Sequence, residues 1–500
     1  MHVGGLFEFT PPADAGPDFL VEMLEDMRQQ RRIPPPWSLK LVEGPLVGPR
    51  LPLMRQDHDL DLEYHVQHHA LPHPGSQREL GVLVSRLHSH QLDLHRPLWE
   101  VHLIEGLEGN RFATYIKMHH SLIDGVSGIR MILRTLSKDP DERGMGAFWT
   151  VGEGKSVPAE AEPPRTKSGS GPLDLLVGAA DAAVAIGRAG VEMGISSLED
   201  GALSMPYAAP DSILGGQLGG QRRFATQQYE MKLMRELAQA ADCTLNDMVL
   251  YLCSSALRRY MGEHGRIPGR SLTAGIPVNL REAGDESTGT AIGMLVAELG
   301  TNIADARERI AAIKASTAEA KRHQSELPTA ARTPYTLLLN GPYIAGLMAG
   351  LGGSTPIPFN LGISNVPGPT EPLYFNGARL DALFPLSLLT HGNALNITCL
   401  SYAGTLNFGF TGARDTLPRL QRLAVYMGDS VDEISEELLG RKPKAKTARA
   451  APKKRAPKPR AKPKVAKTKP AKPAAAPEAG PAASSNGNGN AGAGAEAASS

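Results

Sequence analysis

Cysteine is scarce in this sequence. Only Cys243, Cys253 and Cys399 occur in 500 residues. They are too few and too scattered for a disulfide framework or a zinc site, which points to a reducing compartment, most simply the cytosol. A secretory signal is lacking as well. Met1 opens directly into the strand-like His2-Val3-Gly4-Gly5-Leu6-Phe7-Glu8-Phe9, without a basic region followed by an apolar run. The most apolar stretch, 337–353, is interrupted by Asn340, Pro342 and several glycines, so any membrane contact is expected to be peripheral. No Gly-rich phosphate loop of the Walker type is present, which leaves nucleotide hydrolysis unsupported. His58, His65, His68, His69, His73, His88, His90 and His95 are numerous but lack a recognisable ligand spacing. They are predicted to be loop and surface histidines, with no metal bound.

The formal net charge is only +1, but it is unevenly distributed. Between Arg441 and Lys472 there are 15 Lys/Arg and no acid, which leaves 38 basic and 50 acidic side chains in the first 440 residues. An acidic body therefore carries a basic tail. The tail is Lys/Ala/Pro-rich and then Gly/Asn/Ala-rich, and it is predicted to be disordered. Its charge suits an anionic membrane or lipid-inclusion surface. With no aromatic residue to stack bases, it predicts no specific nucleic acid as partner.

Five hundred residues exceed what one core needs, so two lobes with a cleft are expected. The first lobe is predicted to span 1–140, a crossover 141–222, the second lobe 223–440, and the tail 441–500. In the first lobe, Ser76-Gln77-Arg78-Glu79 reads as a capping box for a helix with Leu80, Leu83, Val84 and Leu87 on one face. A strand from Phe112 to His120 and a helix carrying Ile129, Ile132, Leu133 and Leu136 flank a histidine pair. The crossover holds an apolar segment, Leu173 to Ile195, predicted to be helical. In the second lobe Thr244 starts a helix that Gly262 is expected to stop. Strands are predicted over Leu272 to Val278, Ala394 to Tyr402 and Thr405 to Thr411, and a closing helix ends at Gly440.

The chemistry-bearing stretch is His119-His120-Ser121-Leu122-Ile123-Asp124-Gly125. Alternation along a strand lets only one of the two histidines face a given cleft, so the other packs or orients its neighbour. Gly125 marks a sharp turn before the helix, and Asp124 can hold that turn by an ion pair.

His-His-x-x-x-Asp-Gly resembles the signature of the condensation-domain and chloramphenicol acetyltransferase-like acyltransferases. More narrowly, the chain resembles the bacterial wax ester synthase/diacylglycerol acyltransferase family. The matching stretches, in the family's order, are Pro97-Leu98-Trp99-Glu100 with Leu103-Ile104-Glu105-Gly106, Leu245-Asn246-Asp247, Gly275-Ile276-Pro277-Val278-Asn279-Leu280-Arg281, Ile363-Ser364-Asn365-Val366-Pro367-Gly368-Pro369 and Asn407-Phe408-Gly409-Phe410. Two departures stand out. Family members usually carry a further stretch before Met-His-Val-Gly, which would supply an early strand and part of the acceptor pocket; a misassigned start codon and altered acceptor handling are the two readings. The tail is also longer and more basic than the family requires.

The resemblance implies an α/β fold of two chloramphenicol acetyltransferase-like lobes, mixed sheets with flanking helices, and an active-site channel between them. It implies transfer of a long acyl chain from acyl-CoA to a fatty alcohol or diacylglycerol, at the inner membrane face or on a lipid inclusion. No cofactor is expected, acyl-CoA being a substrate. His120 is the implied general base, His119 its support, and Asp124 a structural acid paired with Arg281 or a nearer arginine. Asn246 is implied to stabilise the oxyanion or orient His120, and Asp247 to support the site. Pro97, Leu98 and Trp99 are assigned to substrate binding, Trp99 either lining the acyl tunnel or bracing the lobe. Asn365, Pro367 and Gly368 are expected in a loop bordering the channel. An alcohol, with a pKa of roughly 15.7 like water, needs such a base. A coenzyme A thiol, with a pKa near ~8.5, leaves readily, so no cysteine need form a covalent intermediate. The alternatives are a superfamily enzyme acting on a small alcohol or a carrier-bound acyl group, and a non-catalytic lipid-inclusion coat protein. The sequence carries no signal of oligomeric state.

Overall fold

The computed structural model describes residues 2–42, 53–123, 125–151, 207, 209–265, 267–279, 292–326, 340–347, 350–354 and 356–441. The segment predicted as a crossover helix, Leu173 to Ile195, and the basic tail lie outside the described residues. Residues 1–444 form one compact unit.

The strands, in chain order, begin with β1 (His2–Thr10), β2 (Leu39–Val42), β3 (Leu53–Gln56), β4 (Val66–Ala70), β5 (Trp99–Leu107) and β6 (Arg111–His119). They continue with β7 (Arg222–Glu230), β8 (Thr273–Asn279), β9 (Ile292–Glu298), β10 (Leu361–Val366), β11 (Tyr374–Phe375), β12 (Ala378–Leu386), β13 (Leu395–Tyr402) and β14 (Thr405–Ala413). Two six-stranded sheets result, in the orders β11-β12-β1-β6-β5-β4 and β7-β14-β13-β10-β8-β9, while β2 and β3 pair separately. The first sheet thus takes β11 and β12 from late in the chain, because the edge of β1 not paired with β6 accepts β12 in antiparallel register. No single cut in the chain separates the two sheets.

Alternation divides the first sheet into two chemically different faces. Trp99, Val101 and Leu103 of β5, with Ile116 and Met118 of β6, enter a core that also holds Trp37, Phe148 and Trp149. The opposite face carries Ile104, Ala113 and Tyr115 against Leu80, Leu83, Val84 and Leu87 of the helix Gln77–Ser89. That helix starts at Ser76 with the predicted capping box, in which Ser76 and Glu79 satisfy each other's backbone amides. The first sheet also buries two of the histidines, His65 beside Trp99 on one face and His88 beside Tyr115 on the other, which corrects their assignment to loops and surface. His65 and His88 are 1% and 2% exposed. His65 is held by the Trp99 carbonyl and His88 by the Tyr115 hydroxyl, because an imidazole with a partner for its ring nitrogen can be buried at modest cost.

The second sheet is covered by the helices Met231–Ala240, Leu245–His264 and Gln421–Leu439. The helix begun by Thr244 runs past Gly262 to His264. A glycine costs a helix only about 0.5–1 kcal/mol, and the buried Tyr260 and Met261 hold the last turn. The closing helix ends as expected, with Gly440 in the left-handed region at φ 65° and its amide on the Glu436 carbonyl. The sheets touch where a Cβ on Gly409 of β14 would collide with the Pro385 carbonyl of β12, so only glycine permits this approach. Among the described residues, no helix is long and apolar enough to cross a membrane.

Candidate active site

The histidine pair stands at the end of β6. The strand closes at His119, one residue earlier than predicted, and His120 falls in the turn that follows. The His119 amide donates to the Leu98 carbonyl at 2.9 Å, and the Leu122 amide to the His119 carbonyl at 3.0 Å, which pins the turn at both ends. The His119 ring is partly buried, and its Nδ1 accepts the backbone N–H of Ser121 at 3.2 Å. An accepting Nδ1 assigns the ring proton to Nε2. Burial foremost lowers the pKa of His119 to about 4, so this ring is neutral at physiological pH. His120 is exposed and can be reached by a reactant. His119 is thus partly buried at the strand end, and His120 is presented in the turn, where strand alternation no longer applies.

The strand supporting the pair is anchored by charge. Lys117, two residues before His119, is fully buried and faces its cross-strand partner Glu100, with Nζ 2.7 Å from the carboxylate. Lys117 also donates to the carbonyls of Leu87 and His90 at 3.3 and 3.2 Å. Burial by itself would raise the Glu100 carboxyl, but the hydrogen bond from His102 and the charge of Lys117 outweigh it and hold the pKa at about 2. The ion pair was not singled out in the sequence, although Glu100 belongs to the quoted Pro97-Leu98-Trp99-Glu100 stretch. The period-two pattern of β6 places Lys117 on the inward face, and that was the available signal.

Pro97 is buried, and Leu98 and Trp99 are 0% exposed. With no accessible surface, Leu98 and Trp99 border neither solvent nor a cavity. Trp99 donates its indole N–H to the Trp37 carbonyl at 2.7 Å and stacks on Trp149 at 5.2 Å. Of its two predicted roles, the observed contacts are those of a brace. Gly125 begins the helix Gly125–Leu133, which stops short of Leu136. A Cβ on Gly125 would meet no described atom within 4 Å, whereas one on Gly128 would come 3.0 Å from the Met118 sulfur. Asp124 and Arg281 lie outside the described residues, and their predicted pairing with them.

The other quoted stretches converge in the second lobe. Asn246 occupies the first turn of the helix Leu245–His264, behind a capping box in which the Thr244 side chain accepts the Asp247 amide. Asp247 is 2% exposed. Its carboxylate accepts the Thr244 amide at 3.0 Å, the Thr244 hydroxyl at 2.7 Å and the Thr317 hydroxyl at 2.7 Å, tying the start of this helix to the helix Ala306–Glu326. Asn365 lies within β10, not in a loop. Pro367 and Gly368 follow the strand. Pro367 is exposed, while Gly368 sits against Ser401, whose Oγ accepts its amide at 3.0 Å.

Asn246, Asn365, Ile276, Pro277 and Val278 all line one cavity of about 170 Å³, completed by Leu295, Ala297, Thr317, Ala320 and Lys321. Three quoted stretches, far apart in the chain, thus meet around one space. The Thr317 hydroxyl is already engaged by Asp247. Asn360, Asn393, Asn396 and Asn407 of this lobe all hydrogen bond through their side chains. The side chains of Asn246, Asn365 and Lys321, by contrast, make no hydrogen bond or ion pair to any described residue. Unengaged polar groups converging on an apolar cavity are the signature of a ligand site. The histidines are not among the residues lining it. Val366, next to Asn365 and pointing to the opposite face of β10, packs in the same core cluster as Met118, Ile123 and Ile129 around the histidine turn. Among the described residues, no group of three or more His, Cys, Asp or Glu side chains is arranged to hold a metal.

Comparison with known proteins bears on this geometry. The model for the wax ester synthase/diacylglycerol acyltransferase catalytic domain matches residues 1–249, and that for the WS/DGAT C-terminal domain matches 288–435. A Mycobacterium tuberculosis protein bearing the name diacylglycerol O-acyltransferase is 41% identical over 464 residues, covering 87% of this chain and 93% of the relative. The O-acyltransferase WSD of Acinetobacter baylyi is 36% identical over 453 residues, covering 90% of this chain and 95% of its own. Among solved structures, the wax ester synthase/diacylglycerol acyltransferase from Marinobacter aquaeolei VT8 superposes with a TM-score of 0.70 at 35% identity, covering 88% of this chain and 95% of that one. A condensation domain of the calcium-dependent antibiotic synthetase, at 17% identity and TM-score 0.50 over 87% of this chain and 90% of that one, shares the fold alone. The expected α/β fold of two chloramphenicol acetyltransferase-like lobes is thereby borne out.

Proposed function

The chain belongs to the wax ester synthase/diacylglycerol acyltransferase family, and from that premise we propose that it is an O-acyltransferase moving a long acyl group from acyl-CoA to a fatty alcohol or diacylglycerol, with His120 as general base. The observation that carries the assignment is the division of labour at the end of β6. His119 is neutral and tied to Ser121, and His120 is presented in the turn beyond it.

In this reading His120 takes the hydroxyl proton of the acceptor as its oxygen attacks the thioester carbonyl carbon. Charge develops on the carbonyl oxygen, where preorganised N–H donors stabilise it, while Asn246 borders the cavity that takes another portion of the donor. The carbon–sulfur bond then breaks, and the imidazolium returns its proton to the departing thiolate. A general base contributes ~10²–10⁴-fold to such a step. Asp247 acts at a distance, by holding the helix start that carries Asn246. The test is ester formation by the purified chain from palmitoyl-CoA with hexadecanol and with dioleoylglycerol. Ester with either acceptor is expected; none with any long-chain alcohol or diacylglycerol, alongside activity on a small alcohol or a carrier-bound acyl group, would reject the substrate class.

The substrates are lipids, so the enzyme works at a surface, and the 15 basic residues between Arg441 and Lys472 supply the attraction to it. Removing the chain after Gly440 is expected to weaken binding to vesicles containing phosphatidylglycerol, with the difference vanishing at high salt as charges are screened. Equal sedimentation with and without the tail would overturn this role.

A further inference from the structure

The helix Ala306–Glu326 carries five basic residues, Arg307, Arg309, Lys314, Lys321 and Arg322. Four are committed within the protein. Arg307 pairs with Glu437, Lys314 with Asp242, and Arg322 with Glu319 and Glu326. Arg309 is buried and donates to the Ile303 carbonyl and the Ser255 hydroxyl. Lys321 alone has no hydrogen bond or ion pair to a described residue, and it alone of the five borders the cavity. It is also the only ionisable residue among those lining it. Thr317, one turn earlier on the same face, lines the same space, as does the neighbouring Ala320, so the lysine stem leaves the helix beside the cavity.

The chemistry of this lining is specific. Apolar walls from Ile276, Pro277, Val278, Leu295 and Ala297 are joined by the amides of Asn246 and Asn365 and by one exposed ammonium. At about 170 Å³ the space is smaller than the roughly 300–1,000 Å³ of pockets that enclose a whole drug-sized ligand, so it takes one portion of a larger molecule. A cation without a carboxylate partner among the described residues, on the rim of a cavity whose other lining residues are uncharged, calls for an anion on the incoming molecule. Neither a fatty alcohol nor diacylglycerol carries one; a coenzyme A thioester does, in its phosphates. We propose that Lys321 is the phosphate anchor of the acyl donor, selecting coenzyme A thioesters over thioesters that lack the nucleotide end. This rests on the acyl-CoA reading above.

The experiment compares palmitoyl-CoA with S-palmitoyl-pantetheine, which has the same acyl group and no phosphate, in the full chain and in Lys321→Ala, Lys321→Arg and Lys321→Glu. The readout is the ratio of kcat/KM for the two donors. Lys321 is exposed, so substitution does not threaten the fold. A solvent-exposed ion pair is worth at most a few-fold, so the ratio is expected to fall about fivefold in Lys321→Ala, further in Lys321→Glu, and little in Lys321→Arg. Added salt should lower the wild-type ratio but not that of Lys321→Ala. Ester formation at an unmoved ratio overturns the anchor alone. A change confined to the dependence on anionic vesicles assigns the lysine to lipid headgroups and overturns it too. No ester from either donor with the wild-type chain removes the acyl-transfer reading, and the anchor with it.

Discussion

Replacing His120 with alanine is expected to lower turnover of palmitoyl-CoA with hexadecanol by ~10²–10⁴-fold, while thermal unfolding stays where it is in the wild type. Both expectations come from the same geometry. His120 lies exposed in a turn beyond β6, so its loss opens no cavity in the core. The turn is closed by backbone bonds of His119 and Leu122 that do not use the His120 side chain. The alanine variant therefore keeps the backbone of the turn and removes the imidazole proposed to accept the proton. Steady-state rates and a melting curve on the same preparation separate catalysis from folding. If the variant keeps more than a tenth of the wild-type rate, His120 is not the base, and the inward His119 cannot replace it, since its Nδ1 is occupied by Ser121.

The second large effect concerns stability. Glu100→Gln is expected to cost about 3–5 kcal/mol, because it leaves the fully buried Lys117 without its counter-charge. Removing both charges together, as Glu100→Leu with Lys117→Met, should recover much of that loss, since two apolar side chains leave no ion unpaired. Urea unfolding midpoints of the single and double variants provide the measurement. An additive pair of losses would mean that the two residues are not coupled. The pH dependence has a defined sign. Folding lowers the Glu100 carboxyl from an ordinary 4.5 to about 2, so its contribution is present at neutral pH and above. It is lost as acidity protonates the folded state between those two values. Stability of the wild type should fall through that window, and Glu100→Gln should fall less. Since Lys117 lies two residues from His119 on the same strand, a weakened pair should also reduce activity below the temperature at which the protein unfolds.

Much of the local structure was legible from residue order. Ser76 with Glu79, and Thr244 with Asp247, mark helix starts because a capping box is a contact over three residues. Gly440 marks a helix end for an equally local reason, its φ of 65°. Misreadings arose where burial overrode the local pattern. Gly262 was expected to stop a helix that packing carries to His264, and Asn365 was expected in a loop although β10 extends through it between β8 and β13. His65 and His88 were assigned to loops and surface, because nothing in their spacing reveals the Trp99 carbonyl or the Tyr115 hydroxyl that receives them.

By itself the sequence determined the family and the setting of the histidine pair. The histidine pair precedes Gly125 at the end of an apolar strand pattern, and that local order places it at a strand-to-helix turn. Tertiary structure alone decided that β12 closes the first sheet against β1, that Lys117 meets Glu100, and that Asn246, Pro277, Lys321 and Asn365 surround one space. Those meetings depend on the register and packing of strands and helices separated by up to hundreds of residues. A local pattern of side chains carries no record of them.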